Sequence, residues 1–496
     1  MSQYIVTLDA GTTSERAIIF DHSGEVRGAC QQEFKQYFPQ TGWVEHDPME
    51  IWITQKKVFN DVLDTYNISN TDIVAIGITN QRETSIIWDK RSGKPIYNAI
   101  VWQDRRTADS CEHYKRLGLE SMIQEKTGLL IDAYFSATKI KWILDSVEGA
   151  RELANQGHLA FGTVDSWLVW NMTNGAVHVT DVSNASRTML FNIKHLNWDL
   201  ELLTLFDIPI SLLPEVKSSS EIYGYTHPEH FGSSIKIAGI AGDQQAALFG
   251  QMCIAPGMAK NTYGTGCFVV MNTGNQIIRS ENKLISTIAW KIGTQVNYAL
   301  EGSIFIGGAI VQWLRDNLKI IDKASNIEKL AQTEINSGGV SFVPGFVGLG
   351  APHWDSYGTG ILVGLTRGTT QGHIARAALE AIALQTMDVL VTMEKDAQLK
   401  TTELRVDGGA SANNLLMQIQ ADFADVKIIR PKIIETTAQG AAFLAGLAIG
   451  FWKDLDEIKA IWKSDSTFDP QANTSILTTK KNWNKAISRS KNWHQE

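Results

Sequence analysis

Two turns rich in glycine and hydroxyl residues are the strongest chemical features of this chain, because each could surround a phosphate group. The first turn, 9–16, reads Asp-Ala-Gly-Thr-Thr-Ser-Glu-Arg and lies between the apolar runs 4–8 and 17–20, a pattern that predicts a β-hairpin. Its backbone N–H groups, hydroxyls and guanidinium could bind one anion, and Asp9 could hold Mg²⁺ directly or through water. An ordinary polar hairpin would explain this segment equally well when it is taken alone.

A second turn of the same kind favours a phosphate site over an ordinary polar hairpin. Residues 261–272 place Thr265 between Gly264 and Gly266, again between extended segments, and both glycines permit close backbone approach. Two such hairpins half a chain apart indicate two related lobes whose turns face one phosphate chain. The residue identity between the halves is too low to prove a duplication.

Polar residues also follow two strand-like runs. Arg82 and Glu83 come after the run 73–79, and Asp243 and Gln244 come after the run 235–241. In α/β folds, ligands usually bind at the carboxyl ends of strands, so these residues are site candidates. Asp243 could instead simply cap the following helix, which is the commoner role of such an aspartate.

A third strand-to-helix turn, 404–414, contains Gly408, Gly409 and Asn413. The glycines would let a flat group lie against the backbone, and Asn413 could bind a base or a ribose, so an adenosine pocket fits. A tight turn without a ligand is the alternative for this segment alone.

The elements that must position these residues alternate between strand and helix, which predicts an α/β fold. A chain of 496 residues is longer than one core usually supports, so we expect two domains, 1–249 and 250–496. Asp47 and Pro48 predict a helix start. The run 440–452 is too short to span a bilayer and predicts a packed internal helix, and the Lys-rich end after Asp465 suggests a solvated helical tail.

The composition narrows the class of function. There are 45 Lys and Arg residues against 53 Asp and Glu residues, an acidic balance that argues against general binding to nucleic acid or anionic membranes. The four cysteines have no Cys-x-x-Cys spacing, and no amino-terminal signal is recognisable. These features favour a cytoplasmic enzyme without stable membrane insertion.

Taken together and in order, the segments 9–14, 77–84, 239–247, 261–268, 360–380 and 405–409 resemble the FGGY carbohydrate kinases, most closely those that phosphorylate glycerol. The resemblance covers essentially the whole chain. It implies two ribonuclease-H-like domains of the actin and sugar-kinase superfamily, with ATP and Mg²⁺ in a cleft between them. It also implies transfer of the γ-phosphoryl group of ATP to glycerol, which gives sn-glycerol 3-phosphate and ADP. A homo-oligomer, either a dimer or a tetramer, is expected.

The resemblance also implies roles for individual residues. Asp243 would be the general base, and Asp9 and Asp243 would be metal ligands. The polyol would be bound by Arg82, Glu83, Trp102, Tyr134, Asp243, Gln244 and Phe268. The nucleotide would be bound by Thr12, Thr13, Ser14, Arg16, Thr265, Gly308, Gln312, Gly409 and Asn413.

Two positions of the first turn depart from the family pattern. Ala10 and Glu15 replace residues that are commonly polar and small, and Glu15 would weaken anion binding unless it points outward. His230, in the loop 226–234, faintly resembles a phosphorylated regulatory loop, although two histidines in a surface loop are usually just solvated.

Three other functions stay open on the sequence. A kinase of another polyol or of a ketose such as xylulose is the nearest. A nucleotide-switch protein, either actin-like or a chaperone ATPase, would lack a small-molecule acceptor, and Arg82, Glu83 and Asp243 argue against it. A catalytically silent polyol sensor is disfavoured because Asp9, Asp243 and both turns are intact.

Overall fold

The computed structural model describes residues 3–472 and 475–494, and all counts below refer to those residues. The strands of the first half are β1 Tyr4–Ala10, β2 Ser14–Phe20, β3 Val26–Glu33, β4 Glu45–His46, β5 Ile73–Asn80, β6 Ile86–Asp89, β7 Lys94–Pro95, β8 Ala99–Ile100, β9 Leu159–Gly162, β10 Val179–Asp181, β11 Phe191–Asn192, β12 Asn197–Trp198, β13 Glu215–Lys217, β14 Ser220–Tyr225 and β15 Lys236–Gly242. Those of the second half are β16 Met258–Tyr263, β17 Cys267–Gly274, β18 Ile285–Ile292, β19 Gln295–Ile304, β20 Ser341–Val343, β21 Ile361–Val363, β22 Glu403–Asp407, β23 Ile428–Pro431 and β24 Ser464–Phe468.

Helices alternate with these strands in both halves. They are α1 Pro48–Tyr66, α2 Ala108–Arg116, α3 Glu120–Thr127, α4 Ser136–Ser146, α5 Ala150–Asn155, α6 Val164–Met172, α7 Val182–Ala185, α8 Leu200–Phe206, α9 Pro228–Phe231, α10 Asp243–Gly250, α11 Ala309–Asp316, α12 Asn326–Ala331, α13 Gln371–Ala397, α14 Asn414–Ala424, α15 Thr436–Ile449, α16 Leu455–Ile461 and α17 Ser475–Ser490. Short 3₁₀ turns occupy Asn70–Asp72, Ile210–Leu212 and Gly409–Ala412.

Both predicted hairpins are confirmed. Each hairpin begins one half of the chain, and the same pattern of strand pairing occurs in both halves. β1 pairs antiparallel with β2 and parallel with β5, which pairs parallel with β15. In the second half β16 pairs antiparallel with β17 and parallel with β22, which pairs parallel with β23. A single bridge between β14 and β18 joins the halves into one 13-stranded sheet within the described residues. The architecture of the two halves is therefore repeated, as the two turns predicted.

Helix α1 begins where the sequence predicted, because the Asp47 carboxylate accepts a hydrogen bond from Met49 N and Pro48 occupies the first turn. Helix α15 is the packed internal helix expected from the run 440–452. It comes from the second half, yet it lies against the first half's β1, β5 and β15 and against α10. Glycines make this packing possible, since a Cβ on Gly440 would lie 1.9 Å from the Ala246 carbonyl oxygen. The helix that carries Asp243 is thus joined closely to the second half.

The carboxyl-terminal expectation was wrong in part. Residues Ser464–Phe468 form β24, an edge strand paired with β23, rather than a solvated helical segment. Helix α17 is not fully solvated, because Trp483, Ala486 and Ile487 are buried at helical spacing. In the part of the chain that the structure describes, no helix has both the length and the apolar character required to cross a membrane.

Candidate functional site

Asp243 lies at the carboxyl end of β15, where the backbone turns into α10. It is the first residue of that helix, and Gly242 rather than Asp243 is the N-cap. Its Oδ1 atom is 2.9 Å from Arg82 Nε, at the end of the neighbouring strand β5, and the Asp243 side chain is 34% exposed. The two strand ends therefore bring the predicted base and a predicted polyol residue together, with the carboxylate accessible to a ligand.

Arg82 is itself held by a buried network of ion pairs. Its Nη1 atom is 2.5 Å from Glu301 Oε2 and its Nη2 atom is 3.2 Å from Glu301 Oε1, a two-point contact. Arg187 Nη2 lies 3.0 Å from the same Glu301 carboxylate, and Arg187 Nε lies 2.6 Å from Glu83 Oε1. Burial alone would raise the pKa of Glu301, but Arg187 and Arg82 lower it to about 2. Two guanidinium groups and two carboxylates thus balance each other, which fixes the direction of Arg82.

The backbone at Glu83 has a left-handed conformation, with φ of 63°. This conformation is uncommon for a residue other than glycine and is often found at functional sites. It follows directly on β5 and allows Arg82 and Glu83 to reach different members of the same network. The strain is therefore located where the two predicted polyol residues diverge.

Aromatic side chains border this network. Arg82 Nη2 donates to Tyr134 Oη at 3.2 Å, and the Tyr134 and Trp102 rings are 5.6 Å apart at 67°. Trp102 Nε1 donates to Thr12 Oγ1 at 3.0 Å, which links the predicted polyol set to the first hairpin turn. Burial raises the pKa of Tyr134, so its hydroxyl keeps its proton and can donate a hydrogen bond.

Gln244 and Phe268 complete the predicted polyol set. Gln244 Oε1 accepts a hydrogen bond from Lys260 Nζ on β16. Phe268 on β17 lies opposite Thr262 in the β16–β17 register, so the two side chains share a face of the sheet. Lys260 Nζ also donates to Thr262 Oγ1, at 2.8 Å, which indicates that Phe268 lies on the face of the sheet that Gln244 reaches.

Two charged side chains of the first turn, Asp9 and Arg16, are already paired. Arg16 contacts the Asp9 carboxylate, and its Nη1 atom is 2.7 Å from Glu435 Oε2, just before α15. Burial raises the pKa of Asp9, and Arg16 partly offsets that effect. Ser14 is buried and accepts from Gln31 Nε2 at 2.9 Å, whereas Thr13 is exposed. A phosphate in this turn would therefore contact Thr12, Thr13 and backbone groups, because the Arg16 guanidinium is already paired.

Glu15 does not point outward, yet it does not place a negative charge beside the turn either. The residue is fully buried on the face of β2 that packs against α1, and neither carboxyl oxygen has a hydrogen-bond partner among the described residues. Burial and, to a lesser extent, the charge of Asp9 raise the pKa of Glu15 well above its ordinary value. The side chain is favoured as the neutral acid, which removes the expected repulsion of an anion.

The second turn packs against the start of α11. Gly307 N and Ala309 N both donate to Thr265 O, at 2.8 and 3.1 Å, and Gly308 N donates to Gly264 O at 2.8 Å. A Cβ on Gly308 would lie 2.7 Å from that oxygen, so glycine is required for the approach. Thr265, Gly308 and the first turn of α11, which carries Gln312, consequently form one continuous surface.

The turn after β22 adjoins the same hairpin. Gly408 has φ of 82° and a Cβ there would lie 2.6 Å from Tyr263 O, at the end of β16. Gly409 opens the 3₁₀ turn that follows, with no heavy atom within 4 Å of a Cβ built on it. Asn413 caps α14 by accepting from Leu416 N at 2.8 Å, which leaves its amide N–H groups for another partner.

The predicted metal ligands fit Mg²⁺ only as part of a nucleotide complex. Asp9 and Asp243 are close enough for the charge of Asp243 to raise the pKa of Asp9. Within residues 3–472 and 475–494, no group of three or more His, Cys, Asp and Glu side chains is arranged to hold a metal. Mg²⁺ commonly binds one or two carboxylates together with substrate phosphates and waters, which matches this donor set.

Comparison with known proteins identifies the family of this chain. The model of the FGGY family of carbohydrate kinases, N-terminal domain, matches residues 4–250, and that of the C-terminal domain matches residues 259–449. The chain belongs to this family. A protein named glycerol kinase from Paraburkholderia phytofirmans is 61% identical over 492 residues, which is 99% of each chain.

Two solved kinase structures show the same fold. The crystal structure of Plasmodium falciparum glycerol kinase with ADP superposes with a TM-score of 0.94 at 37% identity, over 99% of this chain and 98% of that one. A xylulose kinase from Lactobacillus acidophilus, at 23% identity, has a TM-score of 0.89 over 98% of this chain and 97% of that one, and it supports the fold alone. The predicted two-domain FGGY architecture of the actin and sugar-kinase superfamily is confirmed.

Four charged residues of this FGGY kinase were missed by the sequence reasoning: Arg187, Lys260, Glu301 and Glu435. Glu301 interrupts an apolar run of β19 with a charge, and a buried charge requires a partner, so that pattern was a usable signal. Lys260 stands in β16 next to other polar residues, so its signal was weaker. Arg187 and Glu435 lie outside regular strands, and nothing local marks them.

His230 is not simply solvated. It lies in the short helix α9, half-buried, with its ring 5.3 Å from that of Trp52 on α1 and its Nδ1 atom 3.3 Å from Lys56 Nζ. Burial and the charge of Lys56 lower the pKa of His230. These contacts indicate a packed histidine, and phosphorylation of His230 stays untested.

Proposed function

We propose that this chain transfers the γ-phosphoryl group of Mg-ATP to a terminal hydroxyl of glycerol, giving sn-glycerol 3-phosphate and ADP. One observation carries the proposal: an accessible Asp243 carboxylate is paired with Arg82, which also contacts the Tyr134 hydroxyl. The full-length relative named glycerol kinase, at 61% identity, supports glycerol as the acceptor. The product would feed glycerol catabolism and glycerolipid synthesis in the cytoplasm.

Glycerol would bind with its hydroxyls between Arg82, Glu83 and Gln244, and with its carbon edge against Trp102 and Phe268. Such a mixture of convergent polar groups and an apolar wall is typical of a small-molecule pocket. Tyr134, which receives a hydrogen bond from Arg82, would close one side of the pocket. The link from Trp102 to Thr12 supports a polyol position next to the first phosphate turn.

ATP would lie across the two turns. Thr12, Thr13, Ser14 and Arg16 would contact phosphates from the first half, and Thr265 would do so from the second. Gly308, Gln312, Gly409 and Asn413 would hold the remainder of the nucleotide. The domains proposed for these two roles are 1–249 and 250–496. Mg²⁺ held by Asp9 and Asp243 would supply a positive charge to the phosphates.

Asp243 would orient the acceptor hydroxyl and accept its proton late in the reaction. An alkanol is too weak an acid for a carboxylate to deprotonate it before bond formation, and phosphoryl transfer passes through a loose, metaphosphate-like state. General-base assistance of this kind contributes about 10²–10⁴-fold, so positioning and electrostatic stabilisation must supply the rest. Arg82, held by Glu301, keeps the Asp243 carboxylate in one direction.

A polyol panel tests the assignment. The purified full chain is mixed with Mg-ATP and with glycerol, dihydroxyacetone, erythritol or xylulose, and ADP formation is followed in a coupled assay. We expect the highest kcat/KM with glycerol and the product to be identified as glycerol 3-phosphate. Faster turnover of xylulose would support the ketose-kinase alternative, and inactivity on all four with glycerol binding retained would support a sensor.

A further inference from the structure

Lys260 is a buried cation beside the proposed polyol pocket, and no role assigned above uses it. Its side chain is fully buried within β16. Its Nζ atom donates to Gln244 Oε1 and, at 2.8 Å, to Thr262 Oγ1. Burial lowers the pKa of Lys260, and the charges of Asp407, Asp243 and Glu301 partly offset that effect. A lysine without solvent contact is uncommon, so its contacts merit a functional explanation.

The contact with Gln244 determines the direction of an amide. A protonated lysine has three donors and no acceptor, so only the Oε1 side of a glutamine amide can face it. The opposite orientation would place Nε2 against Nζ, donor against donor. The Nε2 atom must therefore point away from Lys260.

The Nε2 atom of Gln244 is available for a ligand. It makes no hydrogen bond among the described residues, and it is not among the fully enclosed atoms that lack a partner. Gln244 adjoins Asp243, whose carboxylate is the acceptor in the same pocket. A fixed amide donor beside a fixed carboxylate acceptor provides complementary groups for two neighbouring hydroxyls.

We propose that Lys260 is a positioning residue that holds the Gln244 amide with its N–H groups toward the polyol and so sets the affinity for the acceptor substrate. The proposal rests on the proposed function, because it assumes that Gln244 contacts the polyol. Lys260 itself would touch neither substrate. Without the cation, the Gln244 amide could rotate, and part of its population would present an oxygen where the polyol needs a donor.

A double-mutant cycle on binding tests this role. Lys260→Met, Gln244→Met and the double variant are compared with the wild-type chain, and the dissociation constant for glycerol is measured by calorimetry. Each single change should weaken binding about tenfold, the loss expected for one hydrogen bond to a bound ligand. The double variant should be no weaker than Gln244→Met, because Lys260 acts through Gln244. Independent losses that multiply to about 100-fold, or unchanged binding in Lys260→Met, would overturn the proposal.

Kinetics and matched variants separate this role from a general structural one. Lys260→Arg retains a cation and should bind glycerol within about threefold of the wild type. Thr262→Val removes the second contact of Lys260 and should leave glycerol affinity unchanged. In Lys260→Met the KM for glycerol should rise while kcat stays within about threefold. If Lys260→Met does not fold, Lys260→Gln completes the cycle, and additive losses there overturn the proposal equally.

The same measurements distinguish this inference from the proposed function. A wild-type chain that binds glycerol but does not phosphorylate it would contradict the kinase assignment, while the binding cycle would still report whether Lys260 acts through Gln244. A wild-type chain that does not bind glycerol would overturn both.

Discussion

The Asp243 carboxylate combines access to a ligand with a fixed direction. Arg82 Nε holds one of its oxygens at 2.9 Å, and Arg82 is held in turn by Glu301. A side chain of this kind can accept a proton without first reorienting, which is what phosphoryl transfer to an alcohol requires. The proposed role therefore requires a proton-accepting side chain at residue 243.

Replacement of Asp243 by Asn should separate binding from turnover. An asparagine oxygen can still accept from Arg82, so glycerol affinity should stay within about tenfold, whereas loss of the base should lower kcat by roughly 10²-fold or more. Calorimetry and steady-state kinetics give the two quantities. Asp47→Asn is the matched control, because asparagine caps a helix as well as aspartate does. Near-normal turnover in Asp243→Asn would remove this residue from the role of base.

The raised pKa of Glu15 predicts how the stability of the folded chain changes with pH. Burial raises its pKa in the folded chain, so above the ordinary pKa of about 4.3 the unfolded chain loses this proton more readily than the folded chain does. The unfolding free energy should therefore fall as the pH rises from that value toward the folded pKa. Glu15→Gln lacks this term and should melt on the order of 2 °C or more above the wild type at pH 8, with a smaller gain near pH 4.5.

The exposed Glu33 on the adjacent strand β3 provides the comparison. Thermal denaturation of Glu33→Gln should show no such pH-dependent gain over the wild type. A wild type that is more stable than Glu15→Gln at pH 8 would indicate that the Glu15 carboxylate is ionised and stabilised by a partner.

Local sequence was sufficient to find residues at strand ends but not their partners. Asp9, Arg82 and Asp243 each follow an apolar run, so their position at the edge of the sheet could be predicted from neighbours along the chain. Arg82 pairs with Glu301 across a separation of 219 residues, and only the folded sheet brings them together. The same applies to Arg16, which the sequence offered as a free phosphate ligand and which is paired with Glu435 across 419 residues.

At the scale of elements, α10 and α15 approach so closely that two positions between them have no room for a Cβ atom. A Cβ on Gly440 of α15 would lie 1.9 Å from Ala246 O, and one on Gly250 of α10 would lie 2.0 Å from Thr436 O. Both glycines allow two helix backbones to touch, and α10 begins at Asp243. The packing of these helices therefore contributes to the position of the proposed base.

Gly440→Ala should consequently destabilise the chain and lower its turnover. The added methyl group has only backbone to push against, so we expect a loss of about 1–3 kcal/mol in the unfolding free energy. Denaturant unfolding measures this loss, and kcat with glycerol reports any displacement of Asp243. Gly368→Ala is the control, because its Cβ would meet only Thr366 Oγ1 at 3.8 Å. Equal stability of the two variants would contradict the close-packing argument.

Elements with a strong local signal were predictable, and those without one were not. The two hairpins had turn residues between apolar runs, and α15 was alanine- and glycine-rich, so each was expected. β24 has the polar sequence Ser-Asp-Ser-Thr-Phe, which suits an edge strand exposed to solvent but gives no apolar alternation to detect. The register that joins β14 to β18 is long-range and could not be read from either strand.

At the scale of the whole molecule, the two halves approach each other at the site. The first turn is tied to the second half by Arg16 and Glu435, and α15 of the second half packs on the sheet of the first. The proposed polyol pocket adjoins the first turn through Trp102 and Thr12. When glycerol is absent, a nucleotide bound between the turns would therefore lie next to an empty polyol pocket that water can enter.

Water is smaller than glycerol and far more concentrated, so an enzyme of this kind must keep the reactive arrangement from forming until the polyol is bound. We expect ATP hydrolysis without polyol to be detectable but at least roughly 100-fold slower than phosphoryl transfer to glycerol. Propane-1,2-diol, which fills much of the pocket but lacks one terminal hydroxyl, should accelerate hydrolysis above the polyol-free rate. Phosphate release is measured for the wild type and for Asp243→Asn, and any rate that survives the substitution is subtracted as contamination. Hydrolysis as fast as glycerol phosphorylation would show that the reactive arrangement forms without the polyol.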